Sequence, residues 1–151
     1  MARACVFCEI IAGRAEASFV YRDEQVAAFM DIHQPPHLGH LLVVPVGHAA
    51  HLADLDEETG GRIFQVGMRL AAALRVTLGC PGVNFYLADG AAAGQEVPHV
   101  HLHLLARFRG DGFGLRIGPG YARASRADLD RVAARIRRSL GGVRKEPEDE
   151  L

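Results

Sequence analysis

The sequence has no tryptophan, only three cysteines, and a net charge of −1 over 151 residues. Because an odd, small number of cysteines does not build a disulfide framework, we expect a reduced, cytoplasmic protein. The near-zero net charge provides no broad positive field for binding nucleic acid or anionic membranes, so neither is an expected partner. No apolar run approaches the roughly 18 residues of a membrane span, and no basic-then-apolar leader opens the chain.

The sequence does contain an alternation of short extended segments and longer helical ones. Apolar residues at spacings of three and four predict a long helix from Asp56 to Leu78, and Gly79 follows as a stop. Predicted strands cover residues 18–21, 25–30, 41–46 and 83–87, a short helix covers 7–12, and a last amphipathic helix follows Ser125. We therefore predict an α+β fold with an antiparallel sheet of about five strands packed by one long helix. A single domain is expected over residues 1–142, followed by a charged, disordered tail at 143–151.

Three histidines alternate with apolar residues near the end of the predicted sheet. In a strand, His99, His101 and His103 would share one face, about 6.6 Å apart, and Val100 and Leu102 would share the other. Such a row of imidazoles has three readings: a polar strand face without chemistry, a metal site, or nucleophilic and acid–base chemistry on a phosphate.

The residues around this row resemble the signature of the histidine triad (HIT) family of nucleotide hydrolases and transferases. The matching positions are Gly94, Gln95, Val97, His99, His101, His103, Leu104 and Leu105. Residues 29–32, 39–45 and 5–13, together with His48, resemble the family's first half. The resemblance implies a purine nucleotide as substrate and a homodimer formed through the long helix and the neighbouring strand. It also implies hydrolysis at the α-phosphate of a nucleoside phosphoramidate or related adduct, through a nucleotidyl-histidine intermediate.

The same resemblance assigns roles to individual residues. His101 would be the nucleophile, with His103 and His40 as the other catalytic histidines. The nucleotide-binding set would be Phe7, Phe29, Asp31, Leu42, Gly94, Gln95 and Val97. Of these, Asp31 would accept hydrogen bonds from the ribose hydroxyls, and Gln95 with the Gly94 backbone would hold phosphate oxygens. His33, His37 and His51 match no part of the pattern, and we expect them on the surface.

Cys5 and Cys8 have the Cys-x-x-Cys spacing of a metal-binding pair. By itself the pair fits either half of a zinc site or two plain reduced thiols. The family resemblance adds His48 and His99 as the other two ligands, which implies a structural zinc and removes His99 from catalysis. We expect no organic cofactor.

Two positions depart from the family pattern and leave alternatives open. Ala88 stands where the family usually has Asn or Gln, and Glu96 stands where it usually has Ser or Thr. A carboxylate at position 96 would repel phosphate unless it points away, or it would favour a cationic leaving group. The alternatives are a dinucleoside polyphosphate hydrolase, a nucleotide-binding protein with little catalysis, and a metalloenzyme that uses the three histidines directly.

Overall fold

The structure, a computed structural model, describes residues 4–143 of the 151-residue chain. Its helices and strands are α1 (Val6–Ile11), β1 (Phe19–Arg22), β2 (Val26–Met30), β3 (His40–Pro45), α2 (Glu57–Leu78), β4 (Gly82–Tyr86), β5 (Leu102–Arg107) and α3 (Arg126–Val143). The chain divides into two compact units between Phe113 and Gly114, and α3 lies in the second unit. Of the tail predicted at residues 143–151, only Val143 lies among the described residues. None of the helices in the described part is long and apolar enough to cross a bilayer.

The five strands form one antiparallel sheet in the order β1-β2-β3-β5-β4, which confirms the predicted fold class. Both faces of this sheet are covered. In β3, Leu41 and Val43 pack in the core beneath α2, whereas Leu42 and Val44 pack with α1 on the opposite face. The alternation of side chains along a strand therefore builds two apolar layers from one segment.

Helix α2 forms where the periodicity predicts it. The Asp56 carboxylate caps its first turn by accepting a hydrogen bond from the backbone N–H of Thr59 at 2.8 Å. Its buried stripe consists of Ile63, Val66, Gly67, Leu70, Ala71 and Leu74. The helix ends at Gly79, whose φ of 67° is the left-handed conformation that glycine adopts without strain. The helix is thus a scaffold for the sheet.

Helix α3, considered by itself, follows Ser125 as predicted and is capped by that residue. The Ser125 hydroxyl accepts a hydrogen bond from the Asp128 N–H at 3.1 Å and donates one to the Asp128 carboxylate at 2.6 Å. The predicted apolar stripe is present, but all of its members are exposed: Leu129, Val132, Ile136 and Leu140.

His37 departs from its expected surface position. Its ring is only partly accessible and packs at 4.7 Å, centroid to centroid, from the ring of Phe108. Both ring nitrogens are buried without a hydrogen-bond partner among the described residues. The surface expectation was wrong because the phenyl ring of Phe108, 71 residues away in sequence, covers this imidazole, and local sequence does not reveal that contact. His51, by contrast, is exposed as expected, and so is His33, whose side chain is 91% accessible.

Candidate active site and metal centre

A cleft of about 1230 Å³ opens on the α1 face of the sheet. Four of its lining residues lie in one row across neighbouring strands: Phe29 pairs with Leu42, Leu42 with His103, and His103 with Tyr86. Sheet register therefore sets the floor of the cleft. Tyr86 was not predicted as a site residue, because its pairing with His103 follows from strand register and not from local pattern.

Helix α1 supplies one wall of the cleft. The ring of Phe7 meets Phe29 and His101 edge-on, at centroid distances of 5.6 and 5.2 Å. The aromatic pair Phe7 and Phe29 forms an apolar end, and Leu42 continues it. Asp31, Gly94 and Val97 also line the cleft. A cleft with one apolar end and a few convergent polar groups is typical of small-molecule sites.

The three histidines do not share a strand face as predicted. Strand β5 begins at Leu102, so among them only His103 belongs to it, and His99 lies in a bend. The cause is local: Pro98 has no N–H to donate, and the N–H of His99 bonds back to the Val97 carbonyl at 2.8 Å. The strand prediction was therefore wrong for the first part of the segment, and His99 is free to point elsewhere.

His101 and His103 nevertheless converge on the cleft, with ring centroids 4.8 Å apart. The Nδ1 of His101 lies 2.7 Å from the backbone carbonyl of His99. Because a carbonyl only accepts, Nδ1 carries the proton and donates it, which leaves a lone pair on Nε2 of the neutral ring. His101 is 6% exposed, and its ring is held in place by this hydrogen bond and by Phe7. A neutral imidazole with a free Nε2 is a competent nucleophile.

His103 forms a hydrogen-bonded pair with His40. The Nδ1–H of His40 donates to the His33 carbonyl at 3.0 Å, so its Nε2 accepts from the Nδ1–H of His103 at 2.8 Å. Burial, with smaller contributions from the neighbouring imidazoles of His101 and His40, lowers the pKa of His103 to about 4. His103 is therefore neutral at physiological pH in the free protein, with an unprotonated Nε2.

The carboxylate of Asp31 stands beside this pair. One oxygen accepts a hydrogen bond from the His33 N–H at 2.7 Å, and the other lies 3.8 Å from Nε2 of His40. Gln34, which the sequence analysis did not single out, fixes the loop: its amide bonds the Asp31 carbonyl at 2.6 Å and both backbone groups of His40 at 2.7 and 2.9 Å. Asp31 is thus held in the lining of the cleft, and its carboxylate oxygens can accept further hydrogen bonds.

Gln95 does not line the cleft, in contrast to the other predicted nucleotide-binding residues. Its amide is used within the loop: it accepts from the Gly90 N–H at 2.8 Å and donates to the carbonyls of Ala50 and Val97 at 2.8 and 3.0 Å. These bonds brace the backbone around Gly94, whose φ is 90° and which does line the cleft. The observed bonding of Gln95 supports the shape of the loop.

A second group of side chains consists of two cysteines and two histidines. The donor atoms of Cys5, Cys8, His48 and His99 all lie within 4.8 Å of one another. The individual separations are 3.4 Å between Cys5 Sγ and His99 Nδ1, 3.3 Å between Cys8 Sγ and His48 Nδ1, and 3.3 Å between the two Nδ1 atoms. Tetrahedral zinc with ordinary bond lengths requires edges of about 3.3–3.8 Å between its ligands. The four residues therefore have the spacing of a Cys₂His₂ zinc site.

The protonation states also fit a metal. His99 donates Nε2–H to the Pro45 carbonyl at 2.9 Å, which leaves the lone pair of Nδ1 facing the thiols. Burial lowers the pKa of His99, so the ring is in its neutral, ligating form. Burial and the adjacent Cys5 raise the pKa of Cys8. A bound cation would offset the repulsion between two neighbouring thiolates.

The comparison that identifies the family is a match of the HIT domain profile to residues 12–110. The chain belongs to the HIT family. A crystal structure of a HIT family protein from Bacillus anthracis superposes with a TM-score of 0.83 at 36% identity, and the alignment covers 92% of this chain and 99% of that one. The similarity therefore extends over nearly the full length of both HIT proteins.

Two further HIT relatives carry informative names. The adenosine 5'-monophosphoramidase HNT1 of Saccharomyces cerevisiae is 35% identical over 115 residues, which cover 76% of this chain and 69% of that protein. A crystal structure described as a zinc-bound histidine triad family protein from Mycobacterium smegmatis aligns with a TM-score of 0.70 at 35% identity, and the alignment covers 93% of this chain and 98% of that one.

Proposed function

We propose that this HIT protein hydrolyses nucleoside phosphoramidates or related nucleotidyl adducts at the α-phosphate and releases a nucleoside monophosphate. The observation that carries the proposal is the His101 ring, which lines the cleft and whose tautomer, with an unprotonated Nε2, is fixed by the His99 carbonyl. The name of the yeast relative, a monophosphoramidase, supports the same reaction class.

The cleft suggests how such a substrate would be held. A purine would lie against the apolar end formed by Phe7, Phe29 and Leu42, where stacking tolerates either purine. The ribose hydroxyls would donate to the Asp31 carboxylate. The phosphate would contact the backbone at Gly94, where the absence of a side chain permits close approach. Val97, which packs with the α1 cluster, would line the cleft next to the phosphate.

The first chemical step forms one bond and breaks one. Nε2 of His101 attacks phosphorus, the bond between phosphorus and the leaving nitrogen breaks, and the positive charge on the imidazole is stabilised by its Nδ1–H bond to the His99 carbonyl. The leaving nitrogen needs a proton. An anionic phosphate next to His103 raises the pKa of that ring, so His103 binds a proton with the substrate and delivers it to the leaving group.

The second step reverses these roles. Water attacks the phosphorus, the bond to Nε2 of His101 breaks, and His103 accepts the proton that the water loses. His40 accepts the Nδ1–H of His103 throughout and holds that ring in position. The products are a nucleoside monophosphate and an amine. When the phosphate leaves, His103 releases this proton to solvent, and the protein returns to its starting state.

We also propose that Cys5, Cys8, His48 and His99 hold a structural zinc ion. Bound there, the metal would contribute folding free energy and tie the segment before α1 to the histidine segment. It takes no part in the reaction, and His99 acts through its backbone carbonyl. The free thiols of Cys5 and Cys8 suit a reducing compartment such as the cytoplasm.

Two copies of the chain are proposed to pair through α2 and β4. Apolar side chains along the outer side of α2 are exposed, among them Phe64 at 55%, Met68 at 58% and Val76 at 88%. Phe64 also touches Phe85 of β4 edge-on at 5.4 Å, which joins helix and strand into one apolar surface. Contiguous exposed apolar surface of this kind is typical of an interface. Sedimentation equilibrium of the full chain tests this proposal, and a monomer mass at micromolar concentration contradicts it.

The reaction is tested by trapping the intermediate. A radiolabelled adenosine phosphoramidate is mixed with the protein and quenched in alkali within milliseconds, and the labelled peptide is sequenced. We expect the nucleotide on His101 and a loss of turnover of at least about 10³-fold in His101→Ala, as for other covalent nucleophiles. His51→Ala, which removes an exposed imidazole outside the cleft, is the matched control and retains activity. Undiminished turnover in His101→Ala, or label on another residue, would refute the assignment.

A further inference from the structure

Glu96 is the acidic residue of the loop that precedes the histidine segment. It lies two positions after Gly94, and both residues line the cleft together with His101 and His103. The Glu96 side chain is exposed, so its charge is not buried away from the cleft. A carboxylate therefore stands on the wall of a cleft that is proposed to receive a phosphate.

The rest of the cleft does not compensate for this charge. In the described part of the chain, the cleft is lined by one side chain with a permanent positive charge, Arg14. Its guanidinium makes two hydrogen bonds of 2.8 Å to the carboxylate of Glu9, so that charge is already paired. Glu16 and Asp31 add two further carboxylates to the lining. His103 is neutral in the free protein, as argued above.

This balance of charge discriminates between leaving groups. A second phosphate chain would bring several negative charges toward Glu96 and meet no unpaired arginine or lysine among the described residues that line the cleft. An amine that carries a distal ammonium group would bring a positive charge instead and offset the carboxylate. Glu96 is exposed and follows by two residues the Gly94 backbone at which the phosphate is proposed to lie, so a leaving group that extends from that phosphate toward solvent would pass this carboxylate.

We infer that Glu96 is a specificity-determining residue, which selects nucleoside phosphoramidates whose leaving amine carries a second, positively charged group. The inference rests on the proposed phosphoramidate hydrolysis. The covalent step is unchanged: the bond from phosphorus to the leaving nitrogen breaks, that nitrogen takes its proton from His103, and the distal ammonium keeps its own. A charge pair about 6 Å apart at an effective dielectric constant of about 40–80 corresponds to a three- to tenfold effect on kcat/KM.

The test uses three adenosine phosphoramidates that differ only at the end of a three-carbon amine. The leaving groups are propylamine, which is neutral at its far end, 1,3-diaminopropane, which ends in an ammonium, and β-alanine, which ends in a carboxylate. We measure kcat/KM for the wild type, for Glu96→Gln and for Glu24→Gln, at about 20 and about 300 mM salt. Glu24→Gln removes the same charge from an exposed position outside the cleft and is the matched control.

The wild type is expected to prefer the diamine derivative over the propylamine derivative by about three- to tenfold, and to disfavour the β-alanine derivative by a similar factor. The differences in kcat/KM among the three compounds become smaller at high salt and in Glu96→Gln. They persist in Glu24→Gln, and the order of preference reverses in Glu96→Lys. Equal rates with all three compounds in the wild type, or an order that Glu96→Gln leaves intact, would overturn the inference while the proposed reaction stands. If none of the three is cleaved and no adduct forms on His101, the proposed function itself has failed.

Discussion

The lowered pKa of His103 predicts a specific loss of stability in mild acid. Its pKa falls from 6.5 to about 4 because the ring is buried beside His101 and His40. Between these values the unfolded chain binds a proton that the folded chain does not, so stability falls as the pH drops through this window. At pH 5 the unfolded ring is about 97% protonated and the folded ring about 9%, which corresponds to a loss of about 2 kcal/mol relative to pH 7.5.

The measurement is urea unfolding at pH 7.5 and pH 5.0 for the wild type and for His103→Gln. The glutamine side chain can still hydrogen-bond to His40 but does not titrate in this range. The other ionisable groups are the same in both proteins, so the comparison isolates the contribution of His103. We expect the wild type to lose about 1–2 kcal/mol more than the variant on acidification, the lower figure allowing for partial solvent screening. An equal loss in both proteins would show that the burial of His103 does not control its protonation.

Three further predictions concern the metal centre, a close backbone approach and a helix cap. Cys8→Ala, or chelation of the wild type, should lower the Tm. The zinc content measured by atomic absorption should fall from about one ion per chain to none. An unchanged Tm in the metal-free protein would argue against a structural metal. A Cβ at Gly39 would lie 2.6 Å from the Cβ of an alanine in β5, so Gly39→Ala should lower the free energy of unfolding by about 2 kcal/mol or more. A Cβ at Gly47 would meet nothing within 4 Å, so the control Gly47→Ala should change the free energy of unfolding by less than about 0.5 kcal/mol. Urea unfolding measures both. Asp56→Ala removes the cap of α2 and should cost about 1 kcal/mol by the same assay; no measurable loss would mean that water replaces the cap.

The fold could be predicted largely from periodicity and stop signals. Helix α2 was predicted to within one residue at its start because its apolar stripe, its acidic first turn and the terminal glycine agree. The first four strands were shifted by one residue at most, since the alternation in a segment such as residues 41–46 does not mark its ends. The grouping of Cys5, Cys8, His48 and His99 was predicted from the Cys-x-x-Cys spacing together with the family resemblance. The spacing alone indicates only the two cysteines.

The finer organisation of the site depends on contacts that a local pattern does not contain. The alternation of His99, His101 and His103 was the basis for a strand, but Pro98 and the bond from His99 to the Val97 carbonyl begin the strand three residues later. Likewise, the amide of Gln95 bonds to Ala50, 45 residues away. Such long-range bonds decide which way a side chain faces, and only the assembled sheet reveals them.

The position of β5 links assembly of the sheet to assembly of the candidate active site. This strand comes last in the sheet's chain order, yet it fills the gap between β3 and β4. During synthesis, a chain that ends before Leu102 leaves two strand edges without partners and has His40 without the imidazole to which it bonds. Closing that gap requires contacts between segments about 60 residues apart, which is a slow kind of folding event. Nascent chains therefore lack the assembled histidine pair, and closure of the sheet completes the candidate active site.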